Sequence, residues 1–295
     1  MGCGDATGTE ARAARTAMAI ALLLLLGFWA RAGETRPISP GSYTEKCDYV
    51  PDFRQTDESL PKRGTGHCGP AAAANVLAWL NDHGYPGLVP PESSRPVECV
   101  MMDELGLLMR TIAGKGTFPQ RLMAGLQEYC RARRYTATIE YEGWFDGGEY
   151  TRAGRPDLAW LCEGVQGESN VLLLIGFYRH AAMTDTYVRA HSHWVTMVGY
   201  EGADGAEPRL IVHDPGRPRG SIPYRLATLQ SGTFARAGDF PEGPAAGWFT
   251  VTGTGLGKDA DVAVIDGAIR IRVSKRWPLG GHVVPEPTDA DGAAR

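Results

Sequence analysis

The chain carries no surplus of charge of either sign. In 295 residues, 30 Lys+Arg stand against 34 Asp+Glu, a formal net charge of −4. Such a balance gives no electrostatic reason to seek DNA or RNA, so no nucleic-acid partner is expected. Cysteine is about average in number, and six residues are too few for a disulfide scaffold. Long apolar runs are missing beyond the N-terminus. The longest later one, Val171 to Phe177, suits a buried strand and falls far short of the ~20 residues that cross a bilayer. There is no internal repeat. What is present is a 43% hydrophobic content, enough for a real core and against disorder. The length fits one large domain or two small ones.

The N-terminus bears on the compartment. Arg12 and Arg15 precede an apolar run, Ala17 to Trp29, and Ala30-Arg31-Ala32 follows it. A basic region, a short apolar region and a small-residue site make a secretory signal peptide over residues 1–32. The run is about 13 residues, too short for an anchor helix of ~20. The mature protein is therefore expected to be secreted, or held in the periplasm or cell envelope, with no membrane span. Cleavage removes Cys3 and leaves Cys47, Cys68, Cys99, Cys130 and Cys162. Exported cysteines tend to pair, and an odd count marks one free, reactive thiol.

Residues 33–66 are rich in Pro, Gly, Ser and charge and read as an extended lead-in, with residues 33–46 a linker. Helical spacing then predicts helices over Pro70–His83, Val100–Ile112 and Thr117–Arg134, the last opened by a Thr117/Gln120 capping box. From Tyr135 the period becomes two: Tyr135, Ala137, Ile139 and Tyr141 alternate with polar residues. Pro156–Val165 reads as a short helix. Strands are expected over 170–178, 193–200, 208–213 and 248–252. Val262–Ile265 and Ala268–Val273 flank Asp266-Gly267, a hairpin signal. Helices first and antiparallel strands after them give an α+β class, with the folded domain over residues 47–277 and a flexible tail over 278–295.

One cysteine stands apart. In Gly66-His67-Cys68-Gly69-Pro70, Cys68 lies where a helix begins. A thiol there faces unpaired backbone N–H groups and the positive end of the helix dipole, both of which favour the nucleophilic thiolate. A nucleophilic thiol needs a base, and the base an orienting group. His193 begins one predicted strand, Asp214 ends another, and the connector between them is turn-rich. If the two strands form a hairpin, both residues sit near its open end, within cross-strand reach of each other. An oxyanion needs two donors. The Cys68 N–H is one, and Gln55, the only Gln between residue 32 and Cys68, is the candidate for the other.

In that order Gln55, Cys68-Gly69-Pro70, His193-Trp194-Val195 and Asp214-Pro215 resemble the peptidase C39-like family of papain-like cysteine peptidases. The resemblance covers roughly residues 47–218. It implies a papain-like fold in which a helical layer presents Cys68 and an antiparallel sheet presents His193 and Asp214. It also implies peptide-bond cleavage by a Cys68–His193–Asp214 triad with Gln55 as oxyanion donor, a peptide or protein substrate, and no cofactor. The chain departs from the family in two ways. Gln55 lies thirteen residues before Cys68, farther than usual, through an insertion at Thr56–His67. The export ATPase to which the best-known members are fused has no counterpart here.

Two other functions fit the same residues. A transglutaminase-like acyltransferase would pass the thioester to an amine. A catalytically silent papain-like protein would only bind. His191-x-His193 with His213 lacks the further ligand pair of a structural zinc site, so no metal is expected and His191 and His213 read as rim residues. Gly253-x-Gly255-x-Gly257 lacks the following helix of a phosphate loop. Arg131, Arg133 and Arg134 read as a solvated helix end. Trp144, Phe145 and Tyr150 read equally as core or cleft wall. Cys47, Cys99, Cys130 and Cys162 form at most two disulfides, in three possible pairings, or are buried free thiols.

Overall fold

A computed structural model describes residues 41–275 apart from 206, 218–219, 239 and 256–258. The segments expected as a signal peptide (1–32), as most of the linker and as a tail (278–295) lie outside the described residues. All described residues belong to one compact unit. Among the described residues, four α-helices and ten strands make an α+β fold. The helices are α1 (Cys68–Asp82), α2 (Val97–Leu108), α3 (Pro119–Ala132) and α4 (Leu158–Val165). Among the described residues, no helix is long and apolar enough to cross a membrane.

The chain enters its sheet through β1 (Tyr135–Gly143), whose alternating burial follows the period of two in its sequence. At the sheet's centre, β3 (Asn170–Ala181) pairs antiparallel with β4 (Thr186–Glu201) on one side and β10 (Val262–Lys275) on the other. β1 flanks β10, and β4 continues through β5 (Arg209–His213) to β6 (Ile222–Thr228) and β9 (Phe249–Thr252). Short strands β2 (Thr151–Ala153), β7 (Thr233–Phe234) and β8 (Gly243–Pro244) complete it, and the β1–β2 and β4–β7 pairs are parallel. The sheet is thus mixed, although most pairs are antiparallel.

The unbroken apolar run in β3 reflects burial on both faces. Leu172 and Leu174 pack with α1, α2 and α3, whereas Val171, Leu173 and Ile175 pack with the residues of α4. Helix α1 is buried on nearly its whole surface, because its four alanines bring its backbone close to the second layer. Gly125 does the same for α3: a Cβ there would lie 2.7 Å from the Met109 backbone nitrogen and 2.8 Å from its Cα. Alanine is the better helix former by ~1 kcal/mol, but here the neighbour is backbone and cannot rotate away. Gly125→Ala should therefore destabilise the protein by about 1–3 kcal/mol, the usual cost of overpacking. A urea midpoint at or above that of the wild type would show that α2 and α3 are not locked at this point.

Five expectations are corrected. Asp266-Gly267 is not a turn. β10 runs straight through it, because both flanking apolar runs are needed between β3 and β1, and the register slip falls between Ile265 and Gly267. Helix α2 begins three residues early, after Pro96, and ends at Leu108; Arg110 adopts φ 49° and Ile112 is left 39% exposed. The Thr117/Gln120 capping box is not made. Thr117 Oγ1 lies 2.7 Å from Thr111 Oγ1, and Gln120 Nε2 donates to the Asp146 carbonyl. Residues 41–46 are not a free linker: Tyr43 bridges Tyr200, and Lys46 is buried, its Nζ donating to Asn170 Oδ1 at 3.0 Å. Of the basic helix end, Arg133 is not solvated but lies over the Tyr129 ring and pairs with Glu104.

Candidate active site

Cys68 is the first residue of α1 and is buried. His193 lies in β4, and Asp214 follows the last residue of β5. Strand register explains how the last two meet. Thr196 pairs with His213, so Asp214 continues opposite residue 195 and His193 lies on the diagonal, within reach of a side-chain contact. His193 Nε2 is 2.5 Å from Asp214 Oδ1, which also accepts from the Gly216 N–H at 2.9 Å. With Nε2 engaged by the carboxylate, the imidazole can serve the thiol through its other nitrogen.

The electrostatics set Cys68 apart. Burial alone would raise its pKa, but a hydrogen bond from His193, the imidazolium charge and the backbone N–H groups of Trp194 and Gly69 hold the thiol below its usual range. Burial alone would lower the pKa of His193, yet Asp214 and the Cys68 thiolate raise it. Burial would likewise raise the Asp214 carboxyl, and the His193 contacts bring it down. All three shifts favour a thiolate–imidazolium–carboxylate arrangement. The other thiols move the opposite way. Burial raises Cys47 and Cys99 and pushes Cys130 and Cys162 up to about 12. All five described cysteines are free, so the paired alternative for Cys47, Cys99, Cys130 and Cys162 does not occur.

Gln55 lines the same cavity, of about 330 Å³, as Cys68 and His193. Its backbone N–H donates to the Pro215 carbonyl at 3.0 Å, which ties its segment to the Asp214 turn. Its Oε1 is shielded from solvent and has no hydrogen-bond partner. The thirteen-residue separation from Cys68 does not keep the two apart, because residues 56–67 turn back through a short 3₁₀ segment at Pro61–Gly64 with Leu60 buried.

Asn75 is a residue the sequence did not single out. It is fully buried on α1; its Oδ1 accepts from the Phe53 N–H at 2.9 Å and its Nδ2 donates to Thr196 Oγ1 at 3.2 Å. The Thr196 hydroxyl in turn donates to the Ala72 carbonyl at 3.0 Å. One amide therefore joins the helix of Cys68, the strand of His193 and the segment of Gln55. The only sequence signal was a polar residue amid four alanines, leucines and a valine. Asn75→Ala would leave buried groups unpaired and should cost about 1–3 kcal/mol in urea unfolding. A loss below 0.5 kcal/mol, on the order of an inert surface change, would rule this junction out.

The remaining candidates separate. His191 stacks on Phe177 and lines the cavity, a rim position. His213 is buried instead, its ring nitrogens 3.2 Å from the Pro51 carbonyl and from Ser221 Oγ, because its strand is covered by the 47–52 segment. Phe145 is cleft wall, whereas Trp144 packs in an aromatic cluster with Phe234 and Trp248. Tyr150 donates to Gln127 Oε1. Among the described residues, no group of three or more His, Cys, Asp or Glu is arranged to hold a metal ion. In comparison with known proteins, no family model matches the chain and no curated sequence matches it significantly.

Proposed function

We propose that the chain is an exported cysteine peptidase of papain-like, C39-like kind, hydrolysing peptide bonds in a peptide or protein substrate. The observation that carries this reading is the meeting of His193 with both Asp214 and the one described thiol that is held below its ordinary range. The Cys68 thiolate attacks the scissile carbonyl carbon. The tetrahedral oxyanion is held by the Cys68 backbone N–H and the Gln55 side-chain amide. His193 gives its proton to the departing amine, the C–N bond breaks, and a thioester remains. Neutral His193 then takes a proton from water, hydroxide adds to the thioester, and the Cys68 thiolate leaves with the acid as product. Asp214 holds the imidazole in place throughout. Export is assigned to the segment at residues 1–32.

A diverse peptide library, incubated with the wild-type chain and with Cys68→Ala, tests this reading. The expected result is new carboxyl and amino termini in the wild-type digest alone. Products bearing an added amine in place of a new carboxyl terminus would assign acyl transfer instead. Equal digests from both proteins would end the enzyme reading.

A further inference from the structure

We propose that this cleft selects a substrate carrying an Asp or Glu side chain next to the scissile bond, with Arg189 as the residue that binds its carboxylate. The inference rests on the peptidase reading and adds a substrate class to it. Among the described residues, the cavity that holds Cys68 is lined by Lys115, Arg189, His191 and His193 and by no Asp or Glu. With His193 paired to Asp214 and the Cys68 thiolate, Lys115 and Arg189 are the permanent cations of this wall, in a chain whose formal net charge is −4. An acidic chain focuses positive potential at one cleft only where its side chains are arranged to do so.

Arg189 is held for the purpose. Its side chain is 14% exposed, and its Nε donates to Oδ2 of Asp266, which is fully buried, at 2.8 Å. The other Asp266 oxygen accepts from the Tyr178 hydroxyl at 2.5 Å. Space for the carboxylate comes from Gly176 on β3, where a Cβ would overlap it. The guanidinium lies 4.0 Å from the centre of the Phe240 ring, and Phe240 also lines the cavity. This accounts for the break in the hairpin signal at Asp266-Gly267: the aspartate is a buried anchor for a cavity arginine. Asp266 engages the Nε of Arg189, and the planar fork matches a second carboxylate in bidentate geometry. Because the fork is already fixed by an ion pair and a ring, little side-chain freedom is lost on binding. Lys115, exposed on the facing loop, adds a second cation.

The cavity also continues. A neighbouring recess shares Phe118, Pro119 and Phe145 with it, and a third shares His191, Ser192 and His193, so an extended chain has a path across Cys68. Of the acids along that path, Asp146 is engaged by the Gly148 N–H and Asp214 by His193.

The test uses peptides blocked at both ends and paired as Glu and Gln twins at each position flanking the cleaved bond. With the full wild-type chain, at least one Glu twin should have a kcat/KM ten-fold or more above its Gln partner. It should also protect Cys68 from iodoacetamide at a ten-fold lower concentration. Lys115→Ala, a surface change, should reduce the Glu/Gln ratio several-fold. Arg189→Met with Asp266→Asn, which removes the buried pair together, should bring it to about one in a protein that still melts cooperatively. Cleavage without a Glu preference in the wild type overturns the proposal and leaves the peptidase reading intact, whereas protection without a Glu preference and without cleavage overturns both. Preferential protection without any cleavage supports the carboxylate-binding recess and removes the peptidase reading.

Discussion

Cys68→Ala should abolish peptide hydrolysis, lowering kcat/KM by a factor on the order of 10⁴ or more, as loss of a nucleophile does when the rest of the site remains. The fold should tolerate the change. Cys68 is small, and alanine already occupies the four positions from Ala71 to Ala74. A stability change of about 1 kcal/mol is therefore expected. The chemical counterpart is thiol labelling. Of the five described cysteines, iodoacetamide at pH 6 to 7 should label Cys68 in the wild-type protein and none in Cys68→Ala, as peptide mapping of the alkylated protein would show. Selectivity arises from two effects that act together. Cys68 is held as thiolate by His193 and by backbone N–H groups, whereas burial raises the pKa of each of the other four described thiols. Reactivity follows the thiolate fraction, so a group at about 12 is inert at neutral pH. Residual activity above a few per cent in Cys68→Ala, or labelling spread over several cysteines, would remove Cys68 from the mechanism.

Features that depend on local chemistry and short spacing are legible in the sequence. A helix at the Cys68 position follows from a helix former run after Cys-Gly-Pro, although it begins at Cys68 and not at Pro70, and β1 follows from its period of two. The contact of His193 with Asp214 follows from the position of the turn between their strands, although the register makes them diagonal and not directly opposed. Features decided by distant partners are not legible. Asp266-Gly267 carries the same local signal as a tight turn, and only β3, β1 and Arg189 make it a bulge inside a long strand. Nothing local to Arg189 identifies its partner, which lies 77 positions away. Asn75 looks like a polar residue on a small helix face, and its meaning comes from Phe53 and Thr196. The lead-in at 41–46 has a linker's composition, yet Lys46 finds Trp79, Asn170 and Ser169 across the chain. Composition reports the cost of burying such a lysine and not the acceptors that offset it.

His193→Ala removes two functions at once, and its effect should approach that of Cys68→Ala. The first is proton transfer to the leaving amine, which contributes on the order of 10²–10⁴ in rate. The second is the charge that keeps Cys68 ionised. Burial raises the thiol's pKa, and without the imidazolium only backbone N–H groups oppose it. The Cys68 pKa should then move to or above the ordinary value of ~8.5, leaving a few per cent of thiolate or less at pH 7. Together these effects predict a fall in kcat/KM on the order of 10³ or more. The pH profile separates them. In the wild type, activity appears as Cys68 loses its proton, below the ordinary thiol range, and disappears as His193 loses its own, above the ordinary ~6.5 for histidine, because Asp214 and the thiolate hold that proton. The expected curve is a bell with its acid limb below the ordinary thiol range and its alkaline limb above the ordinary histidine range. His193→Ala should lose the alkaline limb, and its small remaining activity and its alkylation rate should both rise steadily above pH 8. A bell of unchanged shape in His193→Ala would mean that a different group titrates with Cys68.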